Sequence, residues 1–217
     1  SLMTILALAV VHKMFVFICD VKGAFLYADL YDDEHVFVRP PKGWEMHERF
    51  RGKIMKLTMA LYGLKVALRR WHKTLTDAMA LAGMVCCVKD PCVTYLRDGD
   101  FKINAATHVD DIFMATTDKV KFESWFKRIP FVFGSKAWLG ADITTYVALE
   151  LTYDRLQSFM HISQRHYITK SLESLGWAGD HFKPTNTPME KGCKHHKADM
   201  PLTTDFVLRK QAQHLLG

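Results

Sequence analysis

Ala105-Ala106-Thr107-His108-Val109-Asp110-Asp111-Ile112-Phe113-Met114-Ala115 sets two adjacent carboxylates inside an apolar run. Two ionised side chains in such a setting cost free energy unless a cation or hydrogen-bond donors compensate them. The run reads as two strands, Ile103 to Val109 and Ile112 to Thr116, with Asp110 and Asp111 at the tip of their hairpin. A tip that presents paired carboxylates to a divalent metal accounts for the pattern, and nucleotidyl transfer needs such a clamp. Surface turns also use Asp-Asp pairs. The apolar flanks on both sides argue against that alternative.

Toward the N-terminus, Phe15-Val16-Phe17-Ile18-Cys19 reads as a buried strand that delivers Asp20 at its end. Adjacent strand residues point to opposite faces. Asp20 and Asp110 are therefore expected to be the firmer metal ligands, with Asp111 joining only where the turn bends it inward. Leu2 to Val11 is too short and too plainly flanked for a membrane span or a leader, and reads as a buried helix entering that strand.

Asp29 to Glu34 reads as a solvated turn, and His35 to Arg39 as a strand stopped by Pro40-Pro41. Leu64, Ala67, Leu68, Trp71, Leu75, Ala78, Met79 and Ala82 recur at helical spacing, and Gly83 ends the helix. Arg69, Arg70 and Lys73 lie off that stripe and are left for phosphates. Asp90-Pro91 marks a break. Asp98-Gly99 signals a further hairpin between Val93–Leu96 and Phe101–Ile103. Lys119 to Arg128 reads as a helix, and Tyr146 to Thr152 and Phe159 to Ser163 as strands. Tyr167 to Leu175 reads as a helix ended by Gly176, and an irregular tail follows from Lys183. Runs of antiparallel strands with helices packed on one face make the expected class α+β.

At 217 residues, 49% hydrophobic and 24% charged, the chain is globular and holds one large domain or two small ones. Its net charge of +6 is compatible with a nucleic-acid binder, but on net charge alone an ordinary basic domain is the better reading. The distribution says more. Residues 39–73 carry ten Lys and Arg against Glu45 and Glu48, so this stretch sums to +8 and the remainder to −2. Trp44, Phe50, Tyr62 and Trp71 interleave with those charges. Basic groups with aromatic neighbours suit a nucleic-acid backbone and stacked bases, and they suit a solvated face over core aromatics equally. Five irregularly spaced cysteines imply no disulfide framework and fit a reducing, intracellular compartment. Cys193, His195 and His196 read better as a surface tail than as a zinc site.

Asp20-Val21-Lys22-Gly23-Ala24-Phe25-Leu26, Leu61-Tyr62-Gly63-Leu64-Lys65 with Ala67, Arg69 and Trp71, Asp90-Pro91-Cys92, and Val109-Asp110-Asp111-Ile112 follow one another in order. Leu139-Gly140, Tyr146-Val147-Ala148-Leu149-Glu150-Leu151, Ser163-Gln164-Arg165-His166-Tyr167-Ile168 and Thr187-Pro188-Met189 complete the series. From about Leu2 to Met189 the chain resembles the reverse transcriptase domain of copia-type long-terminal-repeat retrotransposons. The resemblance implies a polymerase palm with partial fingers and a partial thumb: palm over 1–145 with a fingers-like insertion at about 30–75, primer grip and start of the thumb over 146–190, and a tail over 191–217. It implies two Mg²⁺ ions, with Mn²⁺ as the substitute, on Asp20, Asp110 and Asp111. It assigns Val21, Gly23, Ala24, Phe25 and Lys65 to the nucleotide, with the Phe25 ring excluding a ribose 2′ hydroxyl. Composition alone prefers to read Phe25 as a core aromatic. The resemblance assigns Tyr62, Gly63, Arg69, His108, Tyr146, Val147 and Ala148 to nucleic acid.

The implied partners are an RNA or DNA template with its primer, deoxynucleoside triphosphates and further copies of the chain, with no membrane. The implied setting is cytoplasmic, nuclear or a virus-like particle. The family has Tyr where His108 stands, Gln and Pro where Val66 and Leu68 stand, and Gly where Ala148 stands. The resemblance also implies a unit truncated at the fingers and without ribonuclease H. Two expectations follow: RNA-directed DNA polymerase activity, or a decayed remnant that only binds nucleic acid. A folded product with neither property is the third alternative.

Overall fold

The structure, a computed structural model, describes residues 2–177. The Thr187-Pro188-Met189 motif and the Cys193, His195 and His196 tail lie outside the described residues. The chain divides into two compact units, Ser1–Ile162 and Ser163–Gly217.

In chain order the elements begin with α1 (Leu2–Val11), β1 (Phe15–Val21), β2 (Phe37–Val38), β3 (Met55–Lys56), α2 (Ala67–Leu81) and β4 (Val85–Cys86). They continue with β5 (Val93–Asp98), β6 (Phe101–His108), β7 (Asp111–Thr116), α3 (Lys119–Phe126) and β8 (Phe133–Trp138). The series closes with β9 (Thr144–Tyr146), β10 (Leu149–Asp154), β11 (Phe159–Ser163) and α4 (Arg165–Ser174). Six strands form a sheet in the order β4-β5-β6-β7-β1-β8, every neighbouring pair antiparallel. This mixed fold with a mainly antiparallel sheet is the one expected from the sequence. Strands β11, β10 and β9 make a smaller sheet, and β2 and β3 a short ribbon.

Strand β1 explains the layering. Phe17, Cys19 and Val21 join a buried cluster with Trp71, Leu75 and Met79 of α2 and Phe122 and Trp125 of α3. The intervening Val16 and Ile18 join a second cluster with Ile5, Leu6 and Ala9 of α1 and Tyr146, Leu151 and Tyr153. Alternate residues face opposite sides of a sheet, so both faces of this one are covered. Helices on one face were expected. Instead α2 and α3 cover one face, while α1 and the small sheet cover the other, because β1 and β7 are apolar on both sides. No described helix is long and apolar enough to cross a membrane.

Three local expectations change. Leu68 is 52% exposed and is not part of the buried stripe of α2. Arg70, expected to lie open for phosphates, is buried. Tyr146 to Thr152 is not one strand: Val147 and Ala148 turn the chain between β9 and β10, with Tyr146 opposite Leu149. In the second unit, α4 ends through Gly176 at φ 69°, where the Trp177 N–H returns to the Leu172 carbonyl.

Candidate active site

The β6–β7 hairpin consumes Val109 and Asp110 in its turn, because His108 pairs with Asp111. Asp111 is therefore the first residue of β7, and it stands directly opposite Asp20 across the β1–β7 ladder. The register makes Asp111, rather than Asp110, the cross-strand neighbour of Asp20. Both lie on the face that carries Val16, Ile18 and Phe113, where Tyr146 of β9 packs its ring 5.7 Å from that of Phe113. Two bonds anchor the turn: the Trp71 indole N–H donates to the Val109 carbonyl at 2.5 Å, and the Val21 N–H donates to the Asp110 carbonyl at 2.8 Å. They hold Val109 at φ 57°, a conformation that a β-branched residue rarely adopts.

The carboxylates differ in surroundings. Burial, then repulsion from Asp110 and Asp20, pushes the Asp111 carboxyl above its usual range, and nearby His108 opposes the shift. Asp20 is shifted the other way, chiefly by the Ser135 hydroxyl. Its Oδ1 accepts both the Ser135 hydroxyl and the Ser135 N–H, each at 2.5 Å. Three carboxylates are hard oxygen donors of the kind that Mg²⁺ prefers, and a cation would relieve the repulsion felt at Asp111. As placed, with Asp20 engaged by Ser135, no three His, Cys, Asp or Glu side chains among the described residues stand close enough to enclose a metal ion.

Around this centre, Gly23 takes a left-handed conformation, φ 67°, and opens the 3₁₀ turn Ala24–Tyr27. The Val21 side chain is in the core and its N–H is committed to Asp110. Phe25 packs its ring 4.7 Å from that of Tyr62, which is itself exposed. Lys65, Arg69 and His108 meet at a cavity of about 540 Å³ between α2 and the hairpin, walled by Leu68, Trp71 and Pro91. Gly63, at φ 93°, lies on the exposed approach to α2. Val147 and Ala148 form the tip of a separate hairpin. Sequence reasoning missed Gly134 and Ser135. Neither period 2 nor a long apolar run marks β8, and a Gly-Ser pair reads as a turn.

Residues 1–191 match the family described as Reverse transcriptase (RNA-dependent DNA polymerase). The chain belongs to the reverse transcriptase family. It is 29% identical over 207 residues to the retrovirus-related Pol polyprotein from transposon TNT 1-94 of Nicotiana tabacum, covering 94% of this chain and 15% of that protein. It is 30% identical over 175 residues to the retrovirus-related Pol polyprotein from transposon RE1 of Arabidopsis thaliana, covering 81% and 11%. It is 32% identical over 228 residues to the transposon Ty1-NL2 Gag-Pol polyprotein of Saccharomyces cerevisiae, covering 100% and 12%. The chain thus spans less than a sixth of the length of these relatives.

The departures from the reverse transcriptase pattern now have places. His108 is exposed, directly across the ladder from Asp111. Val66 precedes α2 without a side-chain cap, and Leu68 faces the cavity. Ala148, where the pattern has Gly, sits at φ 59°, a conformation that Gly adopts without strain.

Proposed function

We propose that this chain is the polymerising unit of a retrotransposon reverse transcriptase, extending a DNA primer on an RNA or DNA template from deoxynucleoside triphosphates. The observation that carries the reading is Asp20 facing Asp111 across one ladder, with Asp110 in the adjoining turn. In this reading the six-stranded sheet is the palm, residues at about 30–75 are partial fingers, and residues 146–190 are primer grip and the start of the thumb. Asp20, Asp110 and Asp111 would hold two Mg²⁺ ions, or Mn²⁺ in their place. Such ions would supply activation of the primer 3′ hydroxyl and charge neutralisation at the triphosphate.

The chain's own groups do the rest. Backbone amides at Gly23 and Ala24 face the triphosphate, and Phe25, braced by Tyr62, bars a ribose 2′ hydroxyl. Lys65 and Arg69 neutralise phosphates, joined by Tyr62, Gly63 and His108 on the nucleic acid. Tyr146, Val147 and Ala148 position the primer. Primer extension on a homopolymer template is the direct test, and Asp110→Asn is expected to abolish it. Equal incorporation by both proteins removes the catalytic claim. One observation favours a second reading, a chain that binds nucleic acid without polymerising: Asp20 is engaged by Ser135 and no three-ligand cluster is formed among the described residues. Salt-dependent binding without metal-dependent incorporation is the outcome that selects it.

A further inference from the structure

Pairing between β1 and β8 slips at Asp20. Cys19 faces Lys136 and Val21 faces Phe133, so Asp20 alone is opposed by two residues, Gly134 and Ser135. An extra residue on one strand is a β-bulge, and bulges beside functional sites re-aim groups out of the ladder. Here the Ser135 N–H and hydroxyl both turn onto Oδ1 of Asp20. Gly134 leaves room for the carboxylate: a Cβ added there would stand 2.5 Å from Asp20 Oδ2 and 3.1 Å from Oδ1. Space and donors are therefore both fitted to this one side chain.

We propose that the Gly134–Ser135 bulge is a seat that parks the Asp20 carboxylate, and that a divalent cation binds there in competition with that seat. This rests on the metal-centre reading of Asp20, Asp110 and Asp111. Seated, Asp20 completes no three-ligand set among the described residues. Both donors sit on Oδ1, fix the orientation of the carboxylate and draw on the charge that a cation would need, and hydrogen bonds to an ionised carboxylate are the strong kind. Ser135 is then a positioning residue: it touches no substrate and sets how readily the metal site forms.

The test is Mn²⁺ titration of the whole chain without nucleic acid, reading the electron paramagnetic resonance signal of free Mn²⁺. Ser135→Ala removes the hydroxyl and is expected to bind Mn²⁺ about tenfold more tightly. Ser135→Thr keeps a hydroxyl and is expected to restore the parent affinity, which a merely structural role would not require. Unchanged or weaker binding by Ser135→Ala overturns the seat while leaving the metal centre intact. Wild-type binding that Asp110→Asn does not diminish, or no binding at all, overturns the metal-centre reading and the seat with it.

Discussion

Val147 and Ala148 lie at φ 47° and 59°, both left-handed, in a two-residue hairpin turn. A tight hairpin with two positive φ values is built most cheaply from Asn and Gly. Neither residue is present, so the turn is strained, and the strain is a property of side chains rather than of the fold. Ala148→Gly is expected to stabilise the protein by about 1 kcal/mol, read from the urea midpoint at unchanged slope. A loss of stability would mean that the turn relaxes in solution. The same chemistry explains why the turn was illegible. Tyr146, Leu149 and Leu151 are apolar, and nothing between them carries the usual mark of a turn, so the stretch reads as one strand. The positive φ at residue 148 nonetheless gives a physical reason for the Gly in the reverse transcriptase pattern. At the opposite hairpin the Asp-Asp pair in its apolar frame was legible, because burial of charge leaves a mark in sequence. Ser135 left none, since a serine near a carboxylate is visible only once the register is known.

Two contacts tie α2 to its surroundings, one to the turn of the candidate site and one to the segment before β2. The first is the Trp71 indole N–H on the Val109 carbonyl. Trp71→Phe removes the donor together with the pyrrole part of a fully buried ring. It is expected to cost about 2–3 kcal/mol, for the lost bond and the cavity left behind, and to speed hydrogen exchange in the β6–β7 turn ahead of the rest of the sheet. Uniform exchange would show that the bond does not hold the turn. The second is the pairing of Glu34 with Arg70. The Arg70 Nε donates to Glu34 Oε2 at 2.7 Å, a second nitrogen lies 2.6 Å from Oε1, and the guanidinium stacks 3.0 Å over the Tyr31 ring. The Arg70 guanidinium holds the Glu34 carboxyl down at about 2. A carboxyl depressed on folding stabilises the protein above its ordinary range and stops doing so as pH falls through its folded value. The melting-temperature gap between wild type and Glu34→Gln is thus expected to be full above about pH 4.5 and to close toward pH 2; a gap independent of pH would refute the pairing. From sequence, Asp29 to Glu34 reads as solvated because four acidic residues crowd it. Only the three-dimensional approach of α2, 36 residues later, singles out Glu34.

For the whole molecule, the basic stretch resolves into parts with different duties. Of its ten Lys and Arg, Arg70 alone is buried, whereas Arg39, Lys42, Lys53, Lys65 and Arg69 are among the nine left exposed. Its aromatics divide likewise: Trp71 is core, while Trp44 and Tyr62 are more than half exposed. Sequence left a core face and a nucleic-acid face in balance because both are basic and aromatic. Burial separates them residue by residue. If the exposed set meets the phosphate backbone, each contact releases a counterion, and the logarithm of affinity falls with the logarithm of salt by about 0.7–0.9 per contact. Lys65→Ala is expected to reduce that slope by about this amount, measured by fluorescence anisotropy on a primer–template duplex across a salt series. Arg70→Met is expected to lower the melting temperature yet leave the slope unchanged, since its charge is spent on Glu34. An equal loss of slope at both positions would place Arg70 on the nucleic acid and refute the division. No change at Lys65 would move the binding face away from the cavity that Lys65, Arg69 and His108 share.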